Sequence, residues 1–470
     1  MVNKKEKEVK NTITEKQRTI TDFLSTDYLV WAHNVVEERA LPSVIDGLKP
    51  AARKVLNAAF EGSLKNGQLS KLLALTGDTM KLSLYAHGDS SISNVIVGLC
   101  KTFQNNLNPL ESDSQVGSLR DPDASGAPRY LYVKLSNYSD IYKTDIDLTN
   151  KIFEEGQYVE PMNYLPIIPT VLCEQNLGVA VGYSMHNMSY NPLDVIDACL
   201  EYVNNPKLTM FKTCIHPYIK GIKPKNWVYK SEFGVWYNYG EYKLDKKKDI
   251  MHVTDLPADT SYEAFEKLLN KLIDNQYIKD WRNYSSDGDI NYEIVFFKGQ
   301  LAKFSRSKSA ENLLANKFKL IKRVAPDLLW LIDEKHKLRY FADYYDVVKY
   351  FVNYRLTIYT ERKKKLVDIL EKRYKDNCDL VKFIELVCDN KLKLKNRPKA
   401  DIKADMDGYN LPFALISTPM SKVTIEERDE LLKQNDEIKK QLDYIKKTTE
   451  KQMYKNDLNT LRNKLEKEFK

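Results

Sequence analysis

Apolar residues recur at helical spacing in several stretches set apart by turn-forming dipeptides. Tyr28 to Val36 is one helix-like run, and Ala51 to Phe60 is another, preceded by the breaks Asp46-Gly47 and Lys49-Pro50. A third helix starts near Asp89-Ser90 and continues through Ile92, Val95, Ile96 and Leu99. Tyr130–Leu135 then alternates, as a half-buried strand does. Short helices around tight turns followed by such a strand predict a winged helix-turn-helix over residues 28–150, with residues 1–27 as an N-terminal extension.

The texture changes after residue 150. Leu165–Leu172 and Gly178–Gly182 read as extended segments with turns, Met251–Pro257 as a strand ending at a proline, and Ile290–Phe297 as another strand. Residues 151–341 are therefore expected to form a mixed α+β domain. From Ala342 onward helical periodicity dominates. Tyr344, Val348 and Phe351 begin a stripe that Leu366, Ile369, Leu370 and Tyr374 prolong. Leu431, Ile438, Leu442 and Ile445 form a second stripe, and Leu458, Leu461 and Leu465 a third, with Thr424 and Glu427 as a capping box ahead of them. Narrow apolar seams between Lys/Glu-rich faces predict a long antiparallel coiled coil over 342–470. A small globular head is expected at about 376–424, where Gly408, Pro412 and Pro419 interrupt the pattern.

Composition narrows the class. The 470 residues include 30 tyrosines and are 43% hydrophobic, too apolar for a disordered chain and long enough for about three domains. No apolar run approaches the ~20 residues of a membrane span, and no secretory core follows the mixed-charge N-terminus. The six cysteines form no CxxC pair, which fits a reducing cytoplasm. The net charge of +8 permits nucleic-acid binding, and its distribution says more. Residues 207–230 hold six lysines and no acid, interleaved with Phe211, Tyr218, Trp227 and Tyr229, and residues 298–323 hold eight basic residues against the single Glu311. Both runs suit a phosphate-tracking surface, and both are also compatible with plain solvated faces.

Nucleotide and metal motifs are not found. Gly62 and Gly67 have P-loop spacing, but Gln68-Leu69 stands where Lys-Ser/Thr would be needed. Asp121/Asp123, Asp145/Asp147, Asp287/Asp289 and Asp405/Asp407 are Asp-x-Asp pairs with no further acid in pattern, so no metal site is assigned to this chain.

Three segments carry the chemistry: Glu38-Arg39-Ala40-Leu41-Pro42 running into Asp46-Gly47-Leu48-Lys49-Pro50-Ala51-Ala52-Arg53-Lys54, then His87-Gly88-Asp89-Ser90, then Gln115-Val116-Gly117-Ser118 leading to Gly126-Ala127-Pro128-Arg129-Tyr130. Their order and content resemble the DNA breakage-reunion subunit of type IIA topoisomerases, the gyrase A and topoisomerase IV A family. Residues 164–172, 178–182 and 251–254 look most like the medium subunit of T-even-type phage topoisomerases.

The resemblance implies that Tyr130 attacks a DNA phosphodiester, giving a 5′-phosphotyrosine. A tyrosine phenol is protonated near neutrality and needs a base or cationic neighbours to act. By the same resemblance Arg129 stabilises charge on the transferred phosphate, Arg39 is a second catalytic arginine, and His87 lies near the scissile phosphate. Taken alone, His87 would more often be structural. Lys49, Arg53 and Lys54 match positions that grip DNA, and Ser90, with Asn94, falls where gyrase-type enzymes meet intercalating inhibitors. Val179 stands where the family has a base-pair-wedging isoleucine, one methylene longer. Tyr85-Ala86 replaces the family's usual histidine or proline before His87, and 111–128 is more acidic than usual.

The implied architecture is a winged-helix DNA-gate domain, a tower α+β domain, and a coiled coil whose head closes a C-gate. The implied partners are double-stranded DNA, a second copy of this chain, and the ATPase and magnesium-binding (TOPRIM-type) subunits of the same topoisomerase, whether those two parts are one chain or two. ATP and Mg²⁺ are expected on those subunits rather than here. The sequence reaches Lys470 without a gyrase-type DNA-wrapping domain, so relaxation and decatenation are expected. The cytoplasm is the expected location, that of a bacterial host if the source is viral. A non-enzymatic winged-helix scaffold dimerised by a coiled coil is the alternative that composition leaves open.

Overall fold

The structure, a computed structural model, describes residues 19–469 except 66, 233, 287–288, 302–307, 395–396, 420 and 422, and for 308–311 the backbone alone. Most of the expected N-terminal extension, Asp287 and part of the second basic run lie outside the described residues. Among the described residues no helix is long and apolar enough to cross a membrane.

Residues 20–40 form one irregular helical run. α1 (Ile20–Phe23) and α2 (Leu29–Val35) are followed by wide π-type turns at Leu24–Tyr28 and Val36–Ala40. Next come α3 (Pro50–Glu61), started by a proline whose missing N–H costs nothing at a helix's first position, α4 (Leu72–Leu82) and α5 (Asp89–Cys100). They pack on a small antiparallel sheet in which β3 (Tyr132–Leu135) lies between β1 (Ser70–Lys71) and β2 (Leu110–Ser112). The short α6 (Asp140–Lys143) and the hairpin β4 (Lys151–Glu154)–β5 (Gln157–Pro161) follow.

The expected extended run at 165–172 departs from the sequence reading. Leu165, Ile168, Val171 and Leu172 are buried, but Thr170–Cys173 is a 3₁₀ turn and no ladder runs through the segment. Pro166 and Pro169 have no N–H to contribute to a sheet, so the segment enters the core as coil. The reading at 178–182 becomes a hairpin, β6 (Asn176–Ala180) paired with β7 (Tyr183–Asn187), and α7 (Pro192–Asn204) follows it.

Beyond it, β8 (Trp227–Lys230), β9 (Val235–Tyr239) and a later strand make one three-stranded sheet. β10 (Glu241–Asp245), β11 (Ile250–Asp255), β12 (Asp280–Asn283) and β13 (Tyr292–Val295) make a four-stranded antiparallel sheet covered by α8 (Tyr262–Asp274). Met251, Val253, Phe265, Leu269, Tyr292 and Ile294 centre this second core, to which Leu314 of α9 (Lys308–Lys317) and Phe318 add. β14 (Ile321–Arg323) completes the three-stranded sheet, and the hairpin β15 (Leu329–Ile332)–β16 (Leu338–Phe341) returns to the first core.

α10 (Tyr344–Cys388) runs for 45 residues. Its start buries Val348 and Phe351, whereas Ile369 midway is exposed. α11 (Lys399–Gly408) and the 3₁₀ turn Phe413–Ser417 fold over its far end around Phe383, Ile402, Met406 and Leu411. α12 (Ile425–Lys447) comes back along α10, setting Leu431 against Val381 and Ile384. Thr424 caps it by accepting from the Glu427 N–H at 3.2 Å. The third stripe is not a continuation of this pair. Thr448 leaves helical geometry, and α13 (Glu450–Phe469) buries Tyr454, Leu458, Leu461 and Leu465 in the first core against α7 and α10.

Candidate active site

Asp46 organises the first signature segment. It is fully buried, accepts the Leu48 N–H at 3.0 Å and the Tyr164 N–H at 3.0 Å, and its carbonyl accepts the Thr170 hydroxyl at 2.7 Å. Gly47 follows with φ +70°, and a Cβ there would sit 2.7 Å from the Val171 backbone nitrogen. Only glycine fits that turn without displacing the chain.

Arg53, expected at the DNA backbone, is turned inward. It is 5% exposed; its Nε lies 2.8 Å and one terminal nitrogen 3.2 Å from the Asp46 carboxylate, and the same nitrogen donates to the Leu48 carbonyl. Burial disfavours the charged guanidinium, but the Asp46 charge and hydrogen bonds outweigh it and raise the group above its usual range. The pairing is favourable chemistry: a charged, two-pronged guanidinium matches both oxygens of the buried Asp46 carboxylate. Lys54 is likewise engaged, 3.0 Å from Glu160 and 3.3 Å from Glu154. Lys49 donates to the Leu177 carbonyl at 2.9 Å, and burial lowers its pKa.

The other candidates face outward. Tyr130 closes the 3₁₀ turn Pro128–Tyr130, which packs against α4, and is 69% exposed. The next residue, Leu131, is buried, and its carbonyl accepts the Leu72 N–H at 2.9 Å. The tyrosine thus projects from a fixed mount. The exposed Arg129 guanidinium lies 5.8 Å from the Tyr130 ring centre. His87 is exposed just ahead of α5, its ring edge-on to Tyr85 at 5.3 Å, so the unexpected Tyr85 supports the histidine. Ser90 and Asn94 lie exposed on α5, with the Ser90 N–H on the Asp89 carboxylate at 2.8 Å. Arg39 is exposed in the wide turn Val36–Ala40.

Val179 is 73% exposed on β6, and Leu177, two residues earlier on the same face, is 71% exposed. Between them Gly178 faces the Arg39 turn, where a Cβ would lie 2.5 Å from the Ala40 carbonyl oxygen. Gly178 and the Lys49–Leu177 bond therefore seat the apolar hairpin beside Arg39. Leu177 was not singled out from the sequence, although its two-residue spacing from Val179 is a readable strand signal.

The family model for the A subunits of DNA gyrase and topoisomerase IV matches residues 39–459. The chain belongs to that family. Topoisomerase relatives include the mitochondrial DNA topoisomerase 2 of Dictyostelium discoideum, 28% identical over 97% of this chain and 36% of that protein. DNA topoisomerase 2 of Plasmodium falciparum is 31% identical over 82% of this chain and 27% of that one. The chain thus spans about a third of the length of these relatives. Among solved structures, the DNA-binding, cleavage and re-ligation domain of Plasmodium falciparum topoisomerase II superposes with a TM-score of 0.79 at 26% identity, covering 93% of this chain and 64% of that one.

The topoisomerase match takes in every candidate from Arg39 to Val179, and the structure separates them by exposure. Of the basic run at 207–230, Lys223 and Lys225 both lie 2.6 Å from Glu241, while Lys230 covers the Tyr237 ring. Trp227 is buried and Phe211 stacks on Tyr345 at 4.6 Å, so these aromatics support the surface from beneath. The described part of the chain contains one cluster able to offer three metal ligands, Glu37, Glu38 and His336, and it was not read from the sequence.

Proposed function

We propose that this chain is the DNA-breaking and rejoining part of a type IIA topoisomerase, with Tyr130 as the nucleophile. The observation that carries the proposal is the Arg129–Tyr130 pair, exposed on a short turn whose next residue is anchored in the core, within a family-matched chain. The phenol oxygen bonds to phosphorus as the bond to the 3′ sugar oxygen breaks. The phenol proton leaves, and the departing oxygen takes a proton to become a 3′-hydroxyl. One phosphodiester replaces another, so the step is nearly isoenergetic and reverses without ATP. Arg129 and Arg39 supply fixed positive charge where negative charge grows on the phosphate, and His87 approaches the same phosphate.

Val179 and Leu177 enter the stack of the gate duplex. Unstacking a base step costs a few kcal/mol and gives a bent duplex that touches more protein. Passing one duplex through a double-strand break requires two nucleophiles, hence two copies of this chain. A partner ATPase supplies the ATP-driven motion, and a TOPRIM-type partner holds the Mg²⁺ that offsets phosphate charge. The products are relaxed and decatenated DNA, and the sequence resemblance of residues 164–172, 178–182 and 251–254 to the phage medium subunit is what supports a phage replication system. Asp46 and Glu154 are paired with Arg53 and Lys54, which supports a partner as the source of that Mg²⁺.

The test is a cleavage reaction reconstituted with partner subunits and quenched in detergent midway. Wild type should yield protein linked to 5′ ends through Tyr130, and Tyr130→Phe should bind DNA without forming the link. Binding with no cleavage by wild type would favour the scaffold reading, and cut DNA carrying no protein would mean hydrolysis instead.

A further inference from the structure

We propose that Glu37, Glu38 and His336 form a binding site for one borderline divalent cation of the Zn²⁺ or Mn²⁺ type, clamping the Arg39 turn to the β15–β16 hairpin. One ligand atom from each residue lies within 4.8 Å of the other two. Ligands of one tetrahedral Zn²⁺ lie about 3.4 Å apart, so a contraction of at most about 1.4 Å closes the set. His336 Nδ1 already lies 2.8 Å from Glu37, whose second oxygen is 3.3 Å from His33.

Two unpartnered groups point to a missing ligand. The three residues line a cavity of about 40 Å³ together with Arg53, Glu160 and Asp333. That volume suffices for an ion or a water. Glu160 is 4% exposed, and its Oε2 is buried with no hydrogen-bond partner, as is His336 Nε2. The cavity's other charges are already engaged: Arg53 with Asp46, Glu160 Oε1 with Lys54, and Asp333 with the Lys335 and Lys337 N–H groups. An imidazole with carboxylates suits Zn²⁺ or Mn²⁺ better than Mg²⁺, which keeps its water shell and prefers oxygen ligands.

The backbone explains how His336 converges with Glu37 and Glu38, 299 and 298 positions earlier. The Ile332 N–H donates to the Pro42 carbonyl at 3.1 Å and the Val44 N–H to the Ile332 carbonyl at 2.9 Å, fastening the hairpin beside the first signature segment. His336 occupies the hairpin turn with φ +56°. A π-type turn at Val36–Ala40 presents both glutamates, and Arg39 follows directly. An ion held there fixes the backbone that carries Arg39.

The experiment titrates chelator-stripped full chain, without DNA or partner subunits, with ZnCl₂, MnCl₂ or MgCl₂ in a calorimeter. The expected result is one Zn²⁺ or Mn²⁺ per chain and no competition by Mg²⁺. Glu38→Gln and His336→Asn should each weaken binding by at least ~tenfold. Glu38 is exposed, so its variant tests the site without threatening the fold. His216→Asn and a Cys214→Ser/Cys388→Ser double variant, which remove competing surface ligands, should bind as wild type does. Trypsin cleavage after Arg39 should slow when metal is added to wild type and not to Glu38→Gln. Absence of binding, or wild-type affinity in both Glu38→Gln and His336→Asn, overturns the proposal.

Discussion

Arg53 and Arg129 stand in signature segments of the same family, yet the fold uses them in opposite ways. Arg53 lies inside, held by Asp46 and the Leu48 carbonyl. Arg129 lies outside, beside an exposed tyrosine. The same division runs through the whole site: Asp46, Gly47, Arg53 and Lys54 build a buried polar frame, while Arg39, His87, Tyr130, Leu177 and Val179 stand on its rim. A motif records both groups with equal weight. Burial distinguishes residues that hold the surface together from residues left free on it.

The largest effect expected from this contrast is on Asp46→Ala. The substitution strands the buried Arg53 cation and leaves the Leu48 and Tyr164 N–H groups without their acceptor, at a cost of about 3–5 kcal/mol. Arg129→Ala should stay within about 0.5 kcal/mol of wild type, because an exposed cation leaves nothing unpaired behind. Denaturant unfolding of the two variants decides it; equal losses would erase the distinction between frame and rim.

The frame should also respond to pH. Glu174 is buried, accepting from Asn105 at 2.9 Å and Tyr142 at 3.2 Å, and burial pushes its carboxyl from 4.5 up to about 8. The folded state therefore holds a proton that the unfolded chain releases, so the stability contributed by Glu174 is fully present below 4.5 and is lost as pH rises toward 8. Glu174→Gln keeps both hydrogen bonds and removes the titration. It should flatten this slope and stabilise the protein at pH 8 by about 2–4 kcal/mol, somewhat less than the ~1.4 kcal/mol per unit limit. Thermal midpoints measured from pH 5 to 8 check this, and a parallel slope in the variant would assign it to other groups.

Gly178 joins frame to rim. In Gly178→Ala the new methyl meets the Ala40 carbonyl, so β6 must move away from the Arg39 turn. A loss of about 1–3 kcal/mol is expected, with weaker DNA bending. Bending lost without any change in stability would show that the seat matters only when DNA is bound.

The sequence made several of these features legible, and the reason differs from case to case. Local signals sufficed for α3, α5, the extended stretch of β6 and the Thr424 cap, because proline, glycine and hydroxyl chemistry act within a few residues. The order of the signature segments sufficed for the family. Local signals did not reveal Arg53's partner, because whether a cation seven residues from an acid turns inward depends on Tyr164 and Thr170 arriving from far along the chain. The run at 165–172 looked extended because its apolar content is strand-like, and its prolines were the contrary signal. The Glu37–Glu38–His336 cluster leaves no spacing pattern at all. α13 has the same periodicity as α12, and only the break at Thr448 sends it into a different core.

The smallest stability effect and the most local functional one belong to the rim's apolar pair. Leu177 and Val179 are both more than two-thirds exposed, so replacing either by alanine should change folding by no more than about 0.5 kcal/mol. Their shared face predicts a shared task. If both enter the duplex, each single alanine variant should reduce the bend reported by fluorophores at the ends of a gate-sized DNA. The double variant should abolish the bend while leaving most of the salt-dependent affinity, which comes from phosphate contacts. If bending depends on Val179 alone, Leu177 is surface that the Lys49 contact happens to hold outward, and the rim narrows to one wedge. If neither variant alters the bend, the exposed apolar face serves a protein neighbour instead, and affinity for partner subunits rather than for DNA should fall in the double variant.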